Sequence, residues 1–443
     1  MAVRARDFLD DLDARVNGLL DACTACGECA RACPTPGVAG FDIGDPETVT
    51  AGVRQVLRTG GGPQAAELWA SSCCGSGACL DVCPHGINPR FMLAMARRAM
   101  TVARPADERR AAGKAAFGRM SRGVRVLARL TMATPSLERL SPHSHPERNE
   151  VPDVVFYTGC NMLKTPHIGL LCLDVLDRLG VTYEVHGGPG SCCGILQTRA
   201  GDMENAARQA LSTLDRLAGA GTSQVLSWCP TCQIQFGETM IPGYRDLTGT
   251  DLDMTMFPVF LAARLDRLKD HLVHPVPRRV ALYEYAGGLG VMDAVRELLG
   301  AVPGLELVET GHASIGYTST ALAPLGSYHR DTIAAGLAAA EAAGVNTLVG
   351  VYHADHREFS GHESAWPFAV ANYMELIGEA MGITQPDLFK RLKLIGDADA
   401  IMATVGPMIG EHGLDAGEVR DVVLADLLGD QHLPTERTLH GGA

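Results

Sequence analysis

Aromatic residues make up only 5% of this 443-residue chain, and no uninterrupted apolar run reaches the ~20 residues that a membrane span requires. The first scarcity argues for cofactor-binding modules rather than one large aromatic-rich core, and the second gives the expectation of no direct membrane span. Basic charge is also short: 38 Lys and Arg stand against 51 Asp and Glu, a net charge of −13. That balance argues against unspecific binding to nucleic acid or to an anionic lipid surface. The opening MAVRARDFLDDLDARVNGLL carries acids where a secretory signal needs an apolar core, so a cytoplasmic location is expected, or a peripheral one on the inner face of the membrane through a partner. Fourteen cysteines are too dilute for a small disulfide scaffold, and the length allows roughly three domains with cores of their own. In a cytoplasmic chain, clustered cysteines are metal or redox ligands more often than structural disulfides.

The cysteines fall at 23–33, 73–83 and 160–232, and none follows Cys232. PETVTAGVRQVLRTG, starting after Asp45 with Pro46 in its first turn and ending at a glycine run, reads as a helix, as do AAELWA and INPRFMLAMARRAM. Residues 1–105 therefore read as an all-α module. Residues 106–150, rich in Arg, Ala, Ser and Pro and ending in SPHSHPERNEVP, read as a surface linker. Beyond 150, short β-rich runs (PDVVFYTGC, SQVLSWC) alternate with helical spacing (HIGLLCLDVLDRLG, MENAARQALSTLDRLAGAG), the texture of parallel α/β units. The pattern recurs: VVFYTGC with VALYEYA, YEVHGGPGSCCG with ELVETGHASIG, VLSWCPTC with LVGVYHADH. This predicts a duplicated α/β domain, with lobe 1 over 151–275 and a cysteine-free lobe 2 over 276–443. WPFAVANYMELIGEAMGI reads as an amphipathic helix with Met374 and Met381 in the core.

Cys23, Cys26, Cys29 and Cys33, followed by Pro34, are spaced so that three thiolates on one loop hold three corners of a 4Fe-4S cube while the fourth reaches a neighbouring cluster. The second group, Cys73, Cys74, Cys79 and Cys83 before Pro84, has Ser76 where a middle cysteine is usual. Swapped ligation then assigns Cys23, Cys26, Cys29 and Cys83 to one cluster, and Cys33 and Cys79 with two more to the other. Three completions fit the spacing: both adjacent thiols, weak ligation by Ser76, or a cluster short of one protein ligand, with Cys74 a spare buried thiol. Zinc is the competing metal, although zinc sites use more widely separated pairs. Over about residues 15–103, Trp69 included, these motifs resemble the two-cluster helical ferredoxin module of the heterodisulfide reductase small subunit, which also occurs fused in the iron-sulfur subunits of anaerobic glycerol-3-phosphate dehydrogenase and glycolate oxidase.

Cys160, the pair Cys192 and Cys193 before Gly194, and Cys229 with Cys232 each sit at the predicted end of a strand, where α/β folds place ligands. Gly159, Gly187, Gly188, Gly190 and Gly194 surround them and let the backbone approach a bulky cluster. Cys172 lies in a helical apolar run and reads as a core thiol. A structural zinc would use four thiolates and leave a fifth unexplained. Over roughly 152–390 this set resembles the CCG domain of the heterodisulfide reductase catalytic subunit. The resemblance implies that Cys160, Cys192, Cys193, Cys229 and Cys232 hold one non-cubane 4Fe-4S cluster, in addition to two ferredoxin-type 4Fe-4S clusters in the amino-terminal module.

In lobe 2, Ala286 stands where Cys160 has its counterpart, Ala313 and Ser314 replace the cysteine pair, and His353 and His356 replace Cys229 and Cys232. A second non-cubane cluster is not expected. On one reading His353 and His356, the catalytic candidates, join His312 and either His362 or Glu284 in lining a substrate or metal pocket. On the other the lobe is scaffold, its histidines filling the vacated space. The expected function is electron transfer as the iron-sulfur subunit of an oxidoreductase complex. The resemblance implies a flavoprotein partner, such as an electron-transferring flavoprotein, or a membrane quinone-linked subunit. The alternative is a disulfide or thiol reductase acting at the CCG cluster.

Overall fold

The computed structural model describes residues 4–145 and 150–440, so residues 146–149 of the expected linker lie outside the described residues. Up to residue 102 the described chain is helical, with long helices at Ala5–Ala22, Pro46–Thr59 and Pro89–Val102. The second begins where its sequence predicts: the Asp45 carboxylate accepts the Thr48 N–H at 2.8 Å, Pro46 takes the first helical position, and Gly60 at φ 77° ends it. This module shares a core with lobe 1, in which Phe8, Leu12, Trp69 and Met92 join Val155, Tyr157, Leu211 and Phe236.

Lobe 1 is a parallel sheet of β1 (Val154–Gly159), β2 (Tyr183–Gly187), β3 (Gln224–Ser227) and β4 (Asp253–Met256), in the order β2-β1-β3-β4. Lobe 2 contains β5 (Arg279–Leu282), β6 (Glu284–Tyr285), β7 (Glu306–Val308), β8 (Ala313–Ser314), β9 (Thr347–Gly350) and β10 (Ala369–Asn372). Its main sheet runs β7-β5-β9-β10, again all parallel, and β6 pairs with β8 apart from it. Taken in chain order, both sheets are arranged second, first, third, fourth. The repeat seen in sequence is a repeat of topology.

Two expectations are corrected. The stretch read as a linker is largely helix, Ala106–Thr131 followed by Thr134–Leu140. Its glycines belong to close packing rather than to turns: a Cβ on Gly113 would sit 3.1 Å from Asp202, and one on Gly123 would strike the Asp426 carboxylate. The far side of the long helix, through Val126, Leu127 and Leu130, forms a small third core with Phe389, Leu392, Ile401, Val405, Val419 and Val423. Residues beyond 388 thus pack as helices on the supposed linker. The second correction concerns WPFAVANYMELIGEAMGI, whose first half is strand β10, paired with β9. The helix starts only at Tyr373, where Asn372 and Glu375 cap one another. Met374 and Met381 are buried in the core, as expected. Among the described residues, no helix is long and apolar enough to cross a membrane.

Candidate metal centres

All fourteen cysteines are free thiols. Cys23 closes helix Ala5–Ala22, its N–H bonded to the Leu19 carbonyl at 2.9 Å. The loop then turns through Ala25 (φ 59°) and Gly27 (φ 79°), and a Cβ at Gly27 would lie 2.8 Å from the Pro46 backbone. Burial pushes the Cys29 thiol up to about 11, with the Thr50 hydroxyl opposing and Cys23, Cys26 and Cys83 adding to the rise as neighbouring thiols. The first loop is tied to the turn after Cys83 by Thr24 Oγ1 and His85 Nε2, 2.8 Å apart. The remaining thiols form the other set. Burial pushes Cys79 to about 12, with Cys73 and Cys33 as its main thiol neighbours. Burial likewise pushes Cys74 to about 11, with a Thr35 hydrogen bond opposing and Cys73 and Cys33 nearby. Cys29 therefore has Cys23, Cys26 and Cys83 as neighbours, and Cys74 and Cys79 both neighbour Cys33 and Cys73, with Cys79 also close to Cys29. The Trp69 indole N–H donates to Cys33 Sγ at 3.2 Å, while Ser76 reaches Cys74 through its backbone N–H.

In lobe 1, Cys160 follows β1, Cys192 and Cys193 follow the turn after β2, and Cys229 and Cys232 flank the start of helix Pro230–Ile234 after β3. Three adjacent parallel strands thus deliver five thiols to one end of the sheet. Cys193 and Cys232 lie 3.5 Å apart, sulfur to sulfur, and the Gly194 N–H donates to Cys192 Sγ at 3.4 Å. A Cβ on Gly159 (φ 73°) would touch Cys229 Cβ at 3.4 Å and Cys232 Sγ at 3.5 Å. A Cβ on Gly194 (φ 78°) would collide with the Ala206 carbonyl at 2.5 Å. Those two positions require glycine. The sulfurs bond largely to one another: hydrogen bonds from Cys160 and Cys193 lower Cys192 to about 4, and one from Cys232 lowers Cys229 to about 7. The same bonds raise Cys160 and Cys232, and the one to Cys192 also raises Cys193. Five thiols, three buried and two (Cys160 and Cys229) half-buried, with so few other partners suit a soft, polynuclear metal centre. Cys172 lies apart, fully buried in the core on helix Pro166–Arg178.

The two thiol regions meet through lobe 2. Gly75, at φ 69°, presses against Tyr317, whose ring carbons lie 2.6 and 2.7 Å from where a Cβ would be. The Tyr317 hydroxyl is 3.4 Å from Thr231 Oγ1, between Cys229 and Cys232. Alongside runs a cavity of about 510 Å³ lined by Cys73, Arg90, Arg97, Arg199, Thr231 and Tyr317 among others. Tyr317 carries no local signal in sequence, because its importance comes from a contact between three distant segments.

Among the described residues, the histidines and Glu284 of the pocket reading are not gathered at one point, which leaves the scaffold reading. His312 lies against Tyr283 and Thr332, Glu284 is bonded to Arg296 at 2.5 and 2.8 Å, and His362 contacts Gln431 at 2.9 Å. His353 is buried near Arg357 and Lys164, and burial lowers it well below its ordinary value. His356 instead faces Asp387 at 2.6 Å. Tyrosines rather than histidines fill the space: Tyr283, Tyr285 and Tyr352 pack together, and buried Asp355 accepts the Tyr285 hydroxyl at 2.7 Å and the Tyr352 N–H at 3.1 Å. Those residues differ too much in size and polarity from cysteine for a motif comparison to reveal them.

Residues 19–87 match the 4Fe-4S dicluster domain, and residues 154–237 match the cysteine-rich domain called CCG. A fumarate reductase (CoM/CoB) subunit of Methanothermobacter marburgensis is 31% identical over 158 residues, which cover 35% of this chain and only 30% of that protein. A dihydromethanophenazine:CoB–CoM heterodisulfide reductase subunit of Methanosarcina mazei is 27% identical over 323 residues, 66% of this chain and 75% of the relative. Its counterpart in Methanosarcina barkeri is 25% identical over 323 residues. No solved structure matches. Those relatives are subunits of larger reductases, and the chain is an iron-sulfur protein homologous to them, joining a 4Fe-4S dicluster domain to a CCG cysteine-rich domain.

Proposed function

We propose that this chain is the electron-relay subunit of a heterodisulfide reductase-like complex. In this reading it holds two ferredoxin-type 4Fe-4S clusters, one on Cys23, Cys26, Cys29 and Cys83 and the other on Cys33, Cys73, Cys74 and Cys79. A third, non-cubane 4Fe-4S cluster sits on Cys160, Cys192, Cys193, Cys229 and Cys232. Bound clusters supply one-electron uptake and release. The protein contributes burial, N–H donors to sulfur and a short packed path between the thiol regions. The observation that carries the reading is the contact series from Gly75 through Tyr317 to Thr231. A net charge of −13 suits docking to a basic patch on a flavoprotein or on a quinone-linked membrane subunit, with the chain itself cytoplasmic or peripheral at the inner face.

Anaerobically prepared protein is expected to hold about twelve irons, with cubane-type EPR signals on reduction and a distinct signal from lobe 1. Zinc with little iron would sink the reading. Tyr317→Leu is expected to slow reduction of the lobe 1 centre by dithionite-reduced amino-terminal clusters in freeze-quench EPR, leaving iron content unchanged; Tyr317→Phe keeps the ring and is expected to keep the rate.

The cavity favours a second reading, a disulfide reductase that takes two electrons and two protons to split one disulfide into two thiols. Arg97 and Arg199 on its wall suit a small anionic disulfide, Arg90 being paired with Glu238 of the same wall. Turnover of such a compound with a KM raised by Arg199→Ala supports it, and absence of turnover leaves the relay alone.

A further inference from the structure

Where lobe 1, lobe 2 and the carboxyl-terminal helices meet, four side chains distant in sequence converge. His167 lies in helix Pro166–Arg178 of lobe 1, His356 in helix His353–Phe359, Glu375 in the first turn of helix Tyr373–Ala380, and Asp387 caps helix Leu388–Ile395. One donor atom from each lies within 4.8 Å of all the others. The side chains of His167 and His356 are 1% and 0% exposed. Both ring nitrogens of His167, and Nδ1 of His356, are buried without a hydrogen-bond partner. Leaving a buried polar atom unpaired costs about 1–3 kcal/mol, and two of the three, His167 Nε2 and His356 Nδ1, lie beside the same Glu375 oxygen, which favours an occupant among them.

The distances say which kind. Glu375 Oε1 is 3.4 Å from His167 Nε2 and 3.9 Å from His356 Nδ1. Tetrahedral ligands at zinc bond lengths of ~2.0–2.1 Å stand about 3.3–3.4 Å apart, so the first of these edges already has that length and the second needs a closure of about 0.5 Å. Asp387 completes the pattern from outside. Its Oδ2 lies 2.6 Å from His356 Nε2, and its Oδ1 lies 3.5 Å from His167 Nδ1. A carboxylate on the far nitrogen of each ring is the usual outer support of metal-bound histidine. Lys390, a cation close enough to act on His356, is engaged with Glu363 and the Val370 carbonyl. Two imidazoles and a carboxylate disfavour calcium and magnesium, which take oxygen ligands, and copper(I), which takes sulfur; of the two metals such a set suits, ferrous iron and zinc, the 3.4 Å Glu375–His167 edge matches tetrahedral zinc.

We propose that His167 Nε2, His356 Nδ1 and Glu375 Oε1 bind one Zn²⁺, with water in the fourth position and Asp387 orienting both rings. The site is a structural clip. It joins lobe 1 to lobe 2, and through Asp387 it also fixes the start of the helical extension. The sequence match of His356 to Cys232 is corrected by the sheet register, which places Asp355 opposite Cys232 and His356 one residue beyond it.

The clip is independent of the relay reading, because iron reports on one and zinc on the other. The test is elemental analysis and zinc-edge X-ray absorption of the full chain purified with its clusters. About one zinc per chain with nitrogen and oxygen neighbours and no sulfur is expected. His167→Gln and Glu375→Gln are expected to lower bound zinc at least tenfold with iron content and EPR unchanged, and Asp387→Asn to weaken zinc binding by about 10–100-fold. Sulfur in the zinc shell, zinc retained in both variants, or a wild-type chain that is zinc-free and takes up none when Zn²⁺ is added would each overturn the proposal. The wild-type measurement decides even where a variant fails to fold.

Discussion

Lobes 1 and 2 share one strand order and differ in what they place at the strand ends. In lobe 1 the end of β1 reads Thr158, Gly159, Cys160, and the missing side chain of Gly159 leaves room beside Cys229 and Cys232. In lobe 2 the matching stretch reads Glu284, Tyr285, Ala286, and the Tyr285 ring occupies the space between Tyr283 and Tyr352. A glycine and thiols make a cradle; a tyrosine and a buried carboxylate make a core. Burial pushes Asp355 up to about 6 even with the Tyr285 hydroxyl bonded to it. The same fold therefore serves as a cofactor holder in one copy and, in the other, as a packing partner that supplies Tyr317 to the contact between the thiol regions.

The comparison is broken most sharply by substitution at matched positions. Cys193→Ser is expected to abolish the lobe 1 EPR signal entirely while sparing those of the amino-terminal module, whereas Ser314→Ala in lobe 2 leaves all signals intact. Gly194→Ala tests the backbone alone: its Cβ meets the Ala206 carbonyl at 2.5 Å, so the loop must move, and loss of the same signal is expected. A full signal in either lobe 1 variant would remove the basis for calling that lobe the cofactor holder.

How far this division was readable beforehand depends on the range of the interactions. Thiol ligands crowd into short spacings because one cluster must be reached from one loop, so thirteen of the cysteines stood out at once, and so did the helix that Asp45 and Pro46 begin. Helix Ala106–Thr131 was hidden because its Arg- and Ala-rich composition and the aperiodic SPHSHPERNEVP after it read as linker, while its close approaches at Gly113 and Gly123 are to residues far along the chain. Tyr317, His167, Glu375 and Asp387 were invisible for a different reason. Each acquires its partners only when segments separated by long stretches of chain are folded together, and nothing in its immediate neighbours records that.

A smaller effect tests lobe 2 as scaffold. Glu358 receives the backbone N–H groups of His432 and Leu433 at 2.9 and 3.0 Å and the side chain of Gln431 at 3.0 Å, docking the carboxyl-terminal segment. Burial opposes its charge, but His362, His432 and the backbone donors win and hold it well below the usual carboxylate range. Glu358→Gln is expected to cost about 1.5–3 kcal/mol, the scale of a hydrogen bond to a charged group, without changing iron content. Because the folded state depresses this carboxyl, its contribution is complete above the ordinary value near 4.5 and is lost as pH falls through the depressed one. The carboxyl alone gives no slope between pH 8 and pH 5, but its bond to His432 raises that imidazole and is lost as pH rises, so the gap in denaturation midpoint between wild type and variant is expected to widen from pH 8 to pH 5. A gap that stays flat or narrows as pH falls through that window would mean that the His432–Glu358 pair adds nothing to the docking.

The finest distinction lies between Tyr157 and Tyr283, which the repeat places opposite one another. Both are buried, but the Tyr157 hydroxyl bonds to the Ser191 carbonyl at 2.8 Å with Cys232 Sγ at 3.7 Å, whereas the Tyr283 hydroxyl meets only the Thr332 carbonyl at 3.4 Å among main-chain acceptors. Each Tyr→Phe change removes one hydrogen bond of about 0.5–1.5 kcal/mol, so similar small losses of stability are expected. Only Tyr157→Phe also takes a donor from beside a sulfur that accepts more hydrogen bonding when its centre is reduced. If that donor acts on the reduced state alone, the same energy corresponds to a potential about 20–60 mV more negative for a one-electron couple. Redox titration of the lobe 1 EPR signal measures it, and an equal shift in Tyr283→Phe would mean that the two lobes are not chemically separate after all.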